Sequence, residues 1–332
     1  INQKKFNNKN ISTIYFGGGT PSIIKSDHIE EIILQIKNKF NVQKNSEITL
    51  EVNPDDVSKD KLKSWKKIGV NRISLGVQTF NDHLLEKLNR THTAEVAISA
   101  IREIKKIYLN YSIDLMFGIP GSTKESIRKD LSNLKKINPP HVSIYNMTLE
   151  ERTVFYKLFQ KNKISLPSEN LVLEQYDLIL NKLESIGYEN YEISNYAKKN
   201  FHSKHNSNYW NDKEYVGFGP SAHSYDRKYR YWNVRDNKEY IKLIEEEKKV
   251  FDREKLSKKE KINEHILTRI RTNKGIDQKE LLIKFDIDLF KEKSNEIKML
   301  EKEKLLSVDK SVLRLTNKGK KVSDSITEKI TY

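Results

Sequence analysis

The chain has 332 residues, with 61 Lys and Arg against 46 Asp and Glu, a net charge of +15, 36% hydrophobic residues and 32% charged ones. That length suits about two domains, and the balance suits a globular chain with a charge-rich surface. The sequence contains no cysteine, which excludes disulfides, thiolate zinc sites, a cysteine nucleophile and a Cys-ligated iron–sulfur cluster on these residues.

The first half repeats one pattern: a short β-branched run, then an amphipathic helix. Ile11–Phe16 reads as a strand and Gly17–Pro21 as a turn. Ser26 is the expected cap of a helix with Ile29, Ile32, Ile33, Ile36 and Phe40 on one face. Glu47–Val52 is the second strand. Ser58 caps a helix carrying Leu62, Trp65 and Ile68, which Gly69 stops. Arg72–Val77 is the third strand, with helical segments over Asp82–Leu88 and Ala94–Ile107. Ser112–Phe117 is the fourth strand, followed by a helix over Lys124–Ile137, and His141–Met147 is the fifth. Strands alternating with helices imply parallel βαβ units, and five in a row suggest a barrel or open barrel.

The middle differs. A helix over Leu171–Ile186 leads to Gly187 and then to a Tyr-, Asn- and His-rich stretch with little periodicity, the kind of loop that carries function or covers a site. The last part is Lys/Glu-rich. Helices are expected near Lys258–Arg271, Asp277–Lys284 and Leu289–Glu303, then a hairpin in LLSVDKSVLRLT and a short terminal helix. Three helices and a hairpin resemble a winged-helix domain. The expected domains are 1–165, a partial barrel; 166–249, a mixed linker region; and 250–332, the winged-helix-like part.

The opening INQKKFNNKN has no apolar core of a secretory signal, and no apolar run approaches the ~18 residues of a membrane span, so a cytoplasmic protein is expected. The positive charge is spread along the chain. Such charge admits nucleic acid, an anionic membrane surface or an acidic small ligand as partners, although a Lys- and Asn-rich surface explains it without any of them. The charge of the last part is too balanced to favour nucleic acid.

Function in parallel barrels sits at the C-terminal ends of the strands. The residues there are Gly17, Gly18, Gly19, Thr20 and Pro21, then Glu51, Val52, Asn53 and Pro54, then Gln78, then Asp114. The glycines match neither a G-x-G-x-x-G fingerprint nor a phosphate loop. Without Cβ atoms they let backbone groups approach a ligand, or they make a tight strand exit. Glu51 suits an amine or ribose hydroxyls, or is a capping or surface charge. Asp114, between Ile113 and Leu115, taken alone is structural. It is the series of polar groups on successive strands that points to a site.

The segments IYFGGGTPS, EVNPD, RISLGVQTFND-x5-LNR-x-H, SIDLMFGIPGST, YEISNYAK, HNSNYW and GFGPSAHSY, in this order, resemble the oxygen-independent coproporphyrinogen III oxidase-like radical S-adenosylmethionine (SAM) proteins, most closely their heme-chaperone branch. The resemblance runs from Ile11 to the C-terminal part. It implies an α/β fold: a partial, open βα barrel of radical SAM type lacking its first βα unit, a mixed linker region and a winged-helix-like end. It implies that Gly18, Gly19, Thr20, Glu51, Gln78, Arg90 and Asp114 contact SAM. Arg90 suits a carboxylate because its planar guanidinium can bind both oxygens. His205, Asn206 and Tyr209 match an H-N-x-x-Y motif linked to heme binding. A neutral imidazole is a good axial ligand for heme iron, and tyrosinate is an alternative; His202 and His223 are rival histidines. Lys198, Lys199 and Lys204 would meet propionates.

The family carries a C-x-x-x-C-x-x-C cluster loop after its first strand, and this sequence has none of those cysteines. It starts at Ile1, just before what would be the family's second strand. The expectation is therefore a truncated sequence, with a [4Fe-4S] cluster in the full-length protein. The resemblance implies a chaperone that binds heme and delivers it to heme-accepting proteins. The alternative is an oxygen-independent coproporphyrinogen III oxidase, a radical decarboxylase of porphyrin biosynthesis. Dimerisation and association with a membrane surface stay open, and nucleic-acid binding ranks last.

Overall fold

A computed structural model describes residues 9–151 and 153–332 of the chain. They divide into two compact units that meet in sequence between His205 and Asn206.

The first unit alternates strands and helices: β1 (Asn10–Phe16), α1 (Ser26–Lys39), β2 (Asn41–Val52), α2 (Lys59–Lys67), β3 (Arg72–Gln78), α3 (Asp82–Lys87), α4 (Ala94–Ile107), β4 (Tyr111–Phe117), α5 (Lys124–Ile137) and β5 (His141–Asn146). After α6 (Val154–Gln160) and α7 (Glu169–Ser185), two short strands follow, β6 (Glu189–Glu192) and β7 (Asn195–Ala197). All seven strands make one sheet in the order β1-β2-β3-β4-β5-β7-β6. The first five are parallel, and β7 closes antiparallel onto β5. The sheet curls into the half-barrel expected from the sequence.

The sheet has two unlike faces. Ile14, Leu50, Ile73, Leu75, Ile113, Leu115, Val142 and Ile144 are buried against Ile29 and Ile33 of α1, Leu62 and Trp65 of α2, Ile101 and Ile104 of α4 and Leu131 and Leu134 of α5. Parallel sheets are usually apolar on both faces, but here the intervening residues are polar. Register pairs Tyr15 with Thr49, Thr49 with Arg72, Glu51 with Ser74, Ser74 with Ser112, and Ser112 with His141. Because strand side chains alternate between faces, these residues share the helix-free, inner face.

Local chemistry fixes most boundaries. Ser58 accepts from Lys61 N at 3.2 Å and caps α2 as expected. Ser26 does not cap α1: Lys25 holds that position without a side-chain bond, and Ser26 is the first helical residue. The second strand starts at Asn41, six residues before the expected Glu47, because β1 pairs with it from Asn10 and Ile11 onward. The aperiodic middle stretch contributes β6 and β7 to the sheet.

The second unit has its own core. An antiparallel sheet joins β8 (His223–Tyr225), β9 (Tyr229–Asn233) and β10 (Phe251–Lys255). Beyond it lie α8 (Lys258–Ile270), whose start is a Ser257/Glu260 capping box, and α9 (Gln278–Phe285). The helix expected over Leu289–Glu303 is two, Leu289–Glu292 and Ser294–Lys302. The hairpin Leu306–Asp309/Val312–Leu315 follows, with Ile276 and Asp277 pairing as a third strand. Ile266, Ile270, Leu281, Leu300, Leu313 and Ile330 are fully buried there. Among the described residues no helix is long and apolar enough to cross a membrane.

One buried carboxylate holds the chain as it leaves β3. Asp130, on α5, accepts from Phe80 N at 2.7 Å and from the Thr79 hydroxyl at 2.9 Å. Burial pushes its carboxyl from 3.8 up to about 7, against those donors. A raised folded value means the group's contribution to stability is fully present below pH 3.8 and is lost as pH rises through about 7. Asp130→Asn should therefore remove a downward slope in melting temperature between pH 4 and 7; an identical slope in both proteins would show that this carboxyl is not its source.

Candidate functional site

The C-terminal ends of β1 to β4 bring polar groups to one rim of the half-barrel. The chain leaves β1 through Gly17–Gly19. The Tyr15 hydroxyl donates to Glu51 Oε1 at 2.6 Å, and Gly18 N donates to Glu51 Oε2 at 3.2 Å. Gly18 has φ +101°, in the region that favours glycine. A Cβ on Gly17 would lie 2.6 Å from the Tyr15 ring and 2.8 Å from Glu51 Oε1, so this glycine is required by close approach. On its open side, a Cβ on Gly18 or Gly19 would meet nothing within 4 Å. Thr20 is half-buried and begins a turn over Pro21–Ile23, without a side-chain capping bond. Burial raises the Glu51 carboxyl, while the Tyr15 and Gly18 donors oppose it.

Gln78 ends β3 with φ +68°, beyond a register shift between Gly76 and Gln78. Asp130 fixes the next two residues, and His92 Nε2 lies 3.2 Å from Val77 O. Arg90 donates to Asn53 Oδ1 at 3.3 Å, at the end of β2; burial pulls its guanidinium down and Asp55 opposes this. Asp114 accepts from Ser74 at 2.7 Å and from Ser112 at 2.9 Å, and its strand position pairs with Gly76. The glycine loop, Glu51, Gln78 and Asp114 thus lie at or near the ends of successive strands along one rim, and Arg90, which follows α3, reaches the end of β2 through Asn53.

His205 lies on the inner face of the same sheet, not in an open loop. Its ring stacks on Tyr15 at 4.6 Å and 18°, and its Nδ1 is 3.0 Å from Thr13 Oγ1. Below it, the buried Glu47 of β2 accepts from His205 N at 2.9 Å and Lys204 N at 3.1 Å. Those N–H groups begin the helix Lys204–Trp210 and need an acceptor, which a strand carboxylate supplies. Burial and the Arg72 charge lower the imidazole to about 4, so it is neutral at pH 7. Asn206 and Tyr209 belong to the second unit, where Asn206 is half-buried and the exposed Tyr209 packs edge-on against Tyr215 at 4.8 Å.

The rival histidines are placed otherwise. His202 stacks on Tyr191 at 4.2 Å and pairs with Glu189 at 3.1 Å. His223 is exposed on β8. Lys198 is bonded to Asn138, and Lys204 Nζ is 3.5 Å from Asn45 O.

Sequence reasoning missed the rest of the inner face: Thr13, Tyr15, Glu47, Arg72, His141, Tyr191 and Glu192. For Glu47, Arg72 and His141 the signal was the alternation in EITLEV, RISLGV and HVSI, which a parallel sheet covered on both faces would not show. Several polar atoms there are buried with no protein partner among the described residues: Thr49 Oγ1, Arg72 Nε, Glu192 Oε1 and Asn195 Oδ1. Buried polar groups are normally bonded to protein or to something else, so these atoms suit a ligand or water. Burial raises Glu192 to about 7.

The rim fits SAM: open backbone at Gly18 and Gly19, two carboxylates and a guanidinium. A thiolate-held [4Fe-4S] cluster does not fit these residues, because the sequence has no cysteine. Among the described residues, no three His, Asp or Glu side chains converge as a metal site.

The family model for the radical SAM superfamily matches residues 2–134, and that for the HemN C-terminal domain matches 256–321. The heme chaperone HemW of Lactococcus lactis subsp. lactis (strain IL1403) is 35% identical over 98% of this chain and 86% of its own length. That of Bacillus subtilis (strain 168) is 35% identical over 95% and 84%. The coproporphyrinogen III oxidase HemN from Escherichia coli, a radical SAM enzyme, superimposes with a TM-score of 0.84 over 99% of this chain and 80% of its own, at 22% identity; that likeness is one of fold.

The packing at Gly17 gives a direct check of the rim. Gly17→Ala should displace Glu51 and cost about 1–3 kcal/mol in denaturant unfolding; wild-type stability would mean the loop yields freely.

Proposed function

From a chain that belongs to the heme chaperone HemW family of radical SAM proteins, we propose a protein that binds heme through the His205 segment and delivers it to heme-accepting proteins, with SAM held at the rim of the half-barrel. The observation that carries this reading is the setting of His205. It is a neutral imidazole that meets the Thr13 hydroxyl and stacks on Tyr15, while Glu47 holds the backbone N–H of the same residue, on a sheet face with polar atoms to spare. An imidazole that needs no deprotonation and is already oriented can meet iron at little cost in ordering. Asn206 and Tyr209 complete the motif in sequence.

Heme is cargo here, and the chain's work is to hold and release it. SAM, when bound, would supply a charged sulfonium and a methionine carboxylate. Gly18 and Gly19 would offer backbone groups to it, and Arg90 would offer its planar fork to the carboxylate. Glu51 and Asp114 would accept from ribose hydroxyls or the amine, and Gln78 would contact it from the end of β3. Support for this assignment is the placement of Gly18, Gly19, Glu51, Gln78 and Asp114 at or near successive strand ends, where such barrels bind ligands, and the bond of Arg90 to Asn53 at the end of β2. The proposed location is cytoplasmic. The oxidase reading draws on the fold shared with HemN, and fold alone does not carry function.

Hemin titration tests the reading. The wild-type chain should bind hemin at one site, and His205→Ala should shift the Soret band and weaken binding about tenfold or more. Conversion of coproporphyrinogen to protoporphyrinogen at turnover rates would overturn the chaperone assignment. In parallel calorimetry, Glu51→Ala or Asp114→Ala should weaken SAM binding roughly ten- to a hundredfold, as expected for loss of a charge-assisted hydrogen bond; unchanged affinity in both would overturn the SAM site.

A further inference from the structure

Two carboxylates stand at the rim, and a chain of contacts leads from each to the same three residues. The first is short. Glu51 Oε1 accepts from the Tyr15 hydroxyl at 2.6 Å, and the Tyr15 ring stacks on His205. Tyr15 is thus gripped at one end by the rim and covered at the other by the imidazole. Burial and the nearby carboxylates Glu51 and Asp114 raise its phenol far above its ordinary value, so it remains a donor to Glu51.

The second chain is longer and runs in one direction. Asp114 Oδ1 accepts from the Ser112 hydroxyl at 2.9 Å. A serine has one proton to give, so its 2.8 Å contact with His141 Nδ1 must be donated by the histidine. His141 then carries its proton on Nδ1, and its Nε2 accepts from the Tyr191 hydroxyl at 2.8 Å. The Tyr191 oxygen in turn accepts from Ser203 N at 3.3 Å. Full burial holds His141 neutral, far below its ordinary value, which this arrangement requires. Every donor from Ser203 to Ser112 points toward Asp114. Both chains therefore end on residues 203–205, the segment that Glu47 anchors.

We infer that Tyr15 is a positioning residue that couples Glu51 to His205, so that what Glu51 binds alters how His205 binds heme. The inference rests on the proposed heme role of His205. A ligand that donates a hydrogen bond to Glu51, or changes its charge, must alter the bond from Tyr15. The ring turns with its hydroxyl, and the stacked imidazole follows. The coupling is reciprocal, as linkage demands: heme on His205 alters the affinity of the rim for its ligand by the same factor.

The test is a double-mutant cycle on the full chain with hemin as the probe. Glu51→Gln keeps shape and removes charge, and Tyr15→Phe keeps the ring and removes the hydroxyl. Glu51→Gln should change hemin affinity about fivefold or more, with a moved Soret band, although Glu51 lies on the rim. In the Tyr15→Phe background the same substitution should have less than a twofold effect. Equal effects in both backgrounds, or no effect in the wild type, would overturn the coupling. The 15N signals of the His205 ring, read without hemin, provide a second measurement. Glu51→Gln should move them only when the Tyr15 hydroxyl is present, and equal movement in both backgrounds overturns the coupling. Failure of the wild type to bind hemin would sink the heme reading alone, because the ring signals still decide the coupling.

Discussion

A parallel sheet that packs helices on only one face must find partners for every polar group on the other. Here that constraint governs five strands. On each strand alternate residues make the core with the surrounding helices, and the intervening ones present Tyr15, Glu47, Thr49, Glu51, Ser112, His141 and Ser143 to the interior of the half-barrel. An unpartnered buried polar group costs about 1–3 kcal/mol, so a face of this kind is stable only when its groups bond to one another or to something brought in. Both happen. Serines, histidines and tyrosines form directed chains, whereas Arg72 Nε and Glu192 Oε1 have no protein partner among the described residues.

The segment Ser203–His205 is one of the things brought in. Glu47 sits at the start of the inner row on β2, 4% exposed, and its carboxylate receives two backbone N–H groups and approaches the Ser203 hydroxyl at 3.5 Å. The strand meets its need for donors, and the helix meets its need for an N-terminal acceptor. One bond pattern thereby fixes His205 over Tyr15. The rim and the histidine are consequently parts of one polar surface, rather than separate motifs that happen to share a chain.

Much of this was legible in the sequence, for identifiable reasons. Leu62 and Trp65 follow a helical period and Ser58 precedes them, so α2 was found with its cap. The glycine loop, Glu51, Gln78 and Asp114 were found because each lies at or near the end of a strand and offers polar or backbone groups there, whereas Arg90, after α3, was indicated only by the family resemblance. Ser26 misled because a serine before an apolar period looks like a cap, but Ser26 is itself the first helical residue and the cap position falls one residue earlier, on Lys25. The strands Glu189–Glu192 and Asn195–Ala197 were missed because four and three residues carry no period. The inner face was missed for another reason. Tyr15 and Thr49 are ordinary strand formers, and nothing in either residue alone says which side of the sheet it faces. Only the register, which pairs Tyr15 with Thr49 and Thr49 with Arg72, collects them into a surface.

The central claim is that the half-barrel, through Glu47, holds His205 where heme can use it. The most direct measurement is hemin binding by Glu47→Ala, compared with the wild type and with His205→Ala. Glu47 has no proposed contact with heme, so the account expects the Glu47 variant to remain folded by circular dichroism and to take on the weakened affinity and shifted Soret band of the His205 variant. A folded Glu47 variant with the wild-type spectrum and affinity would contradict it.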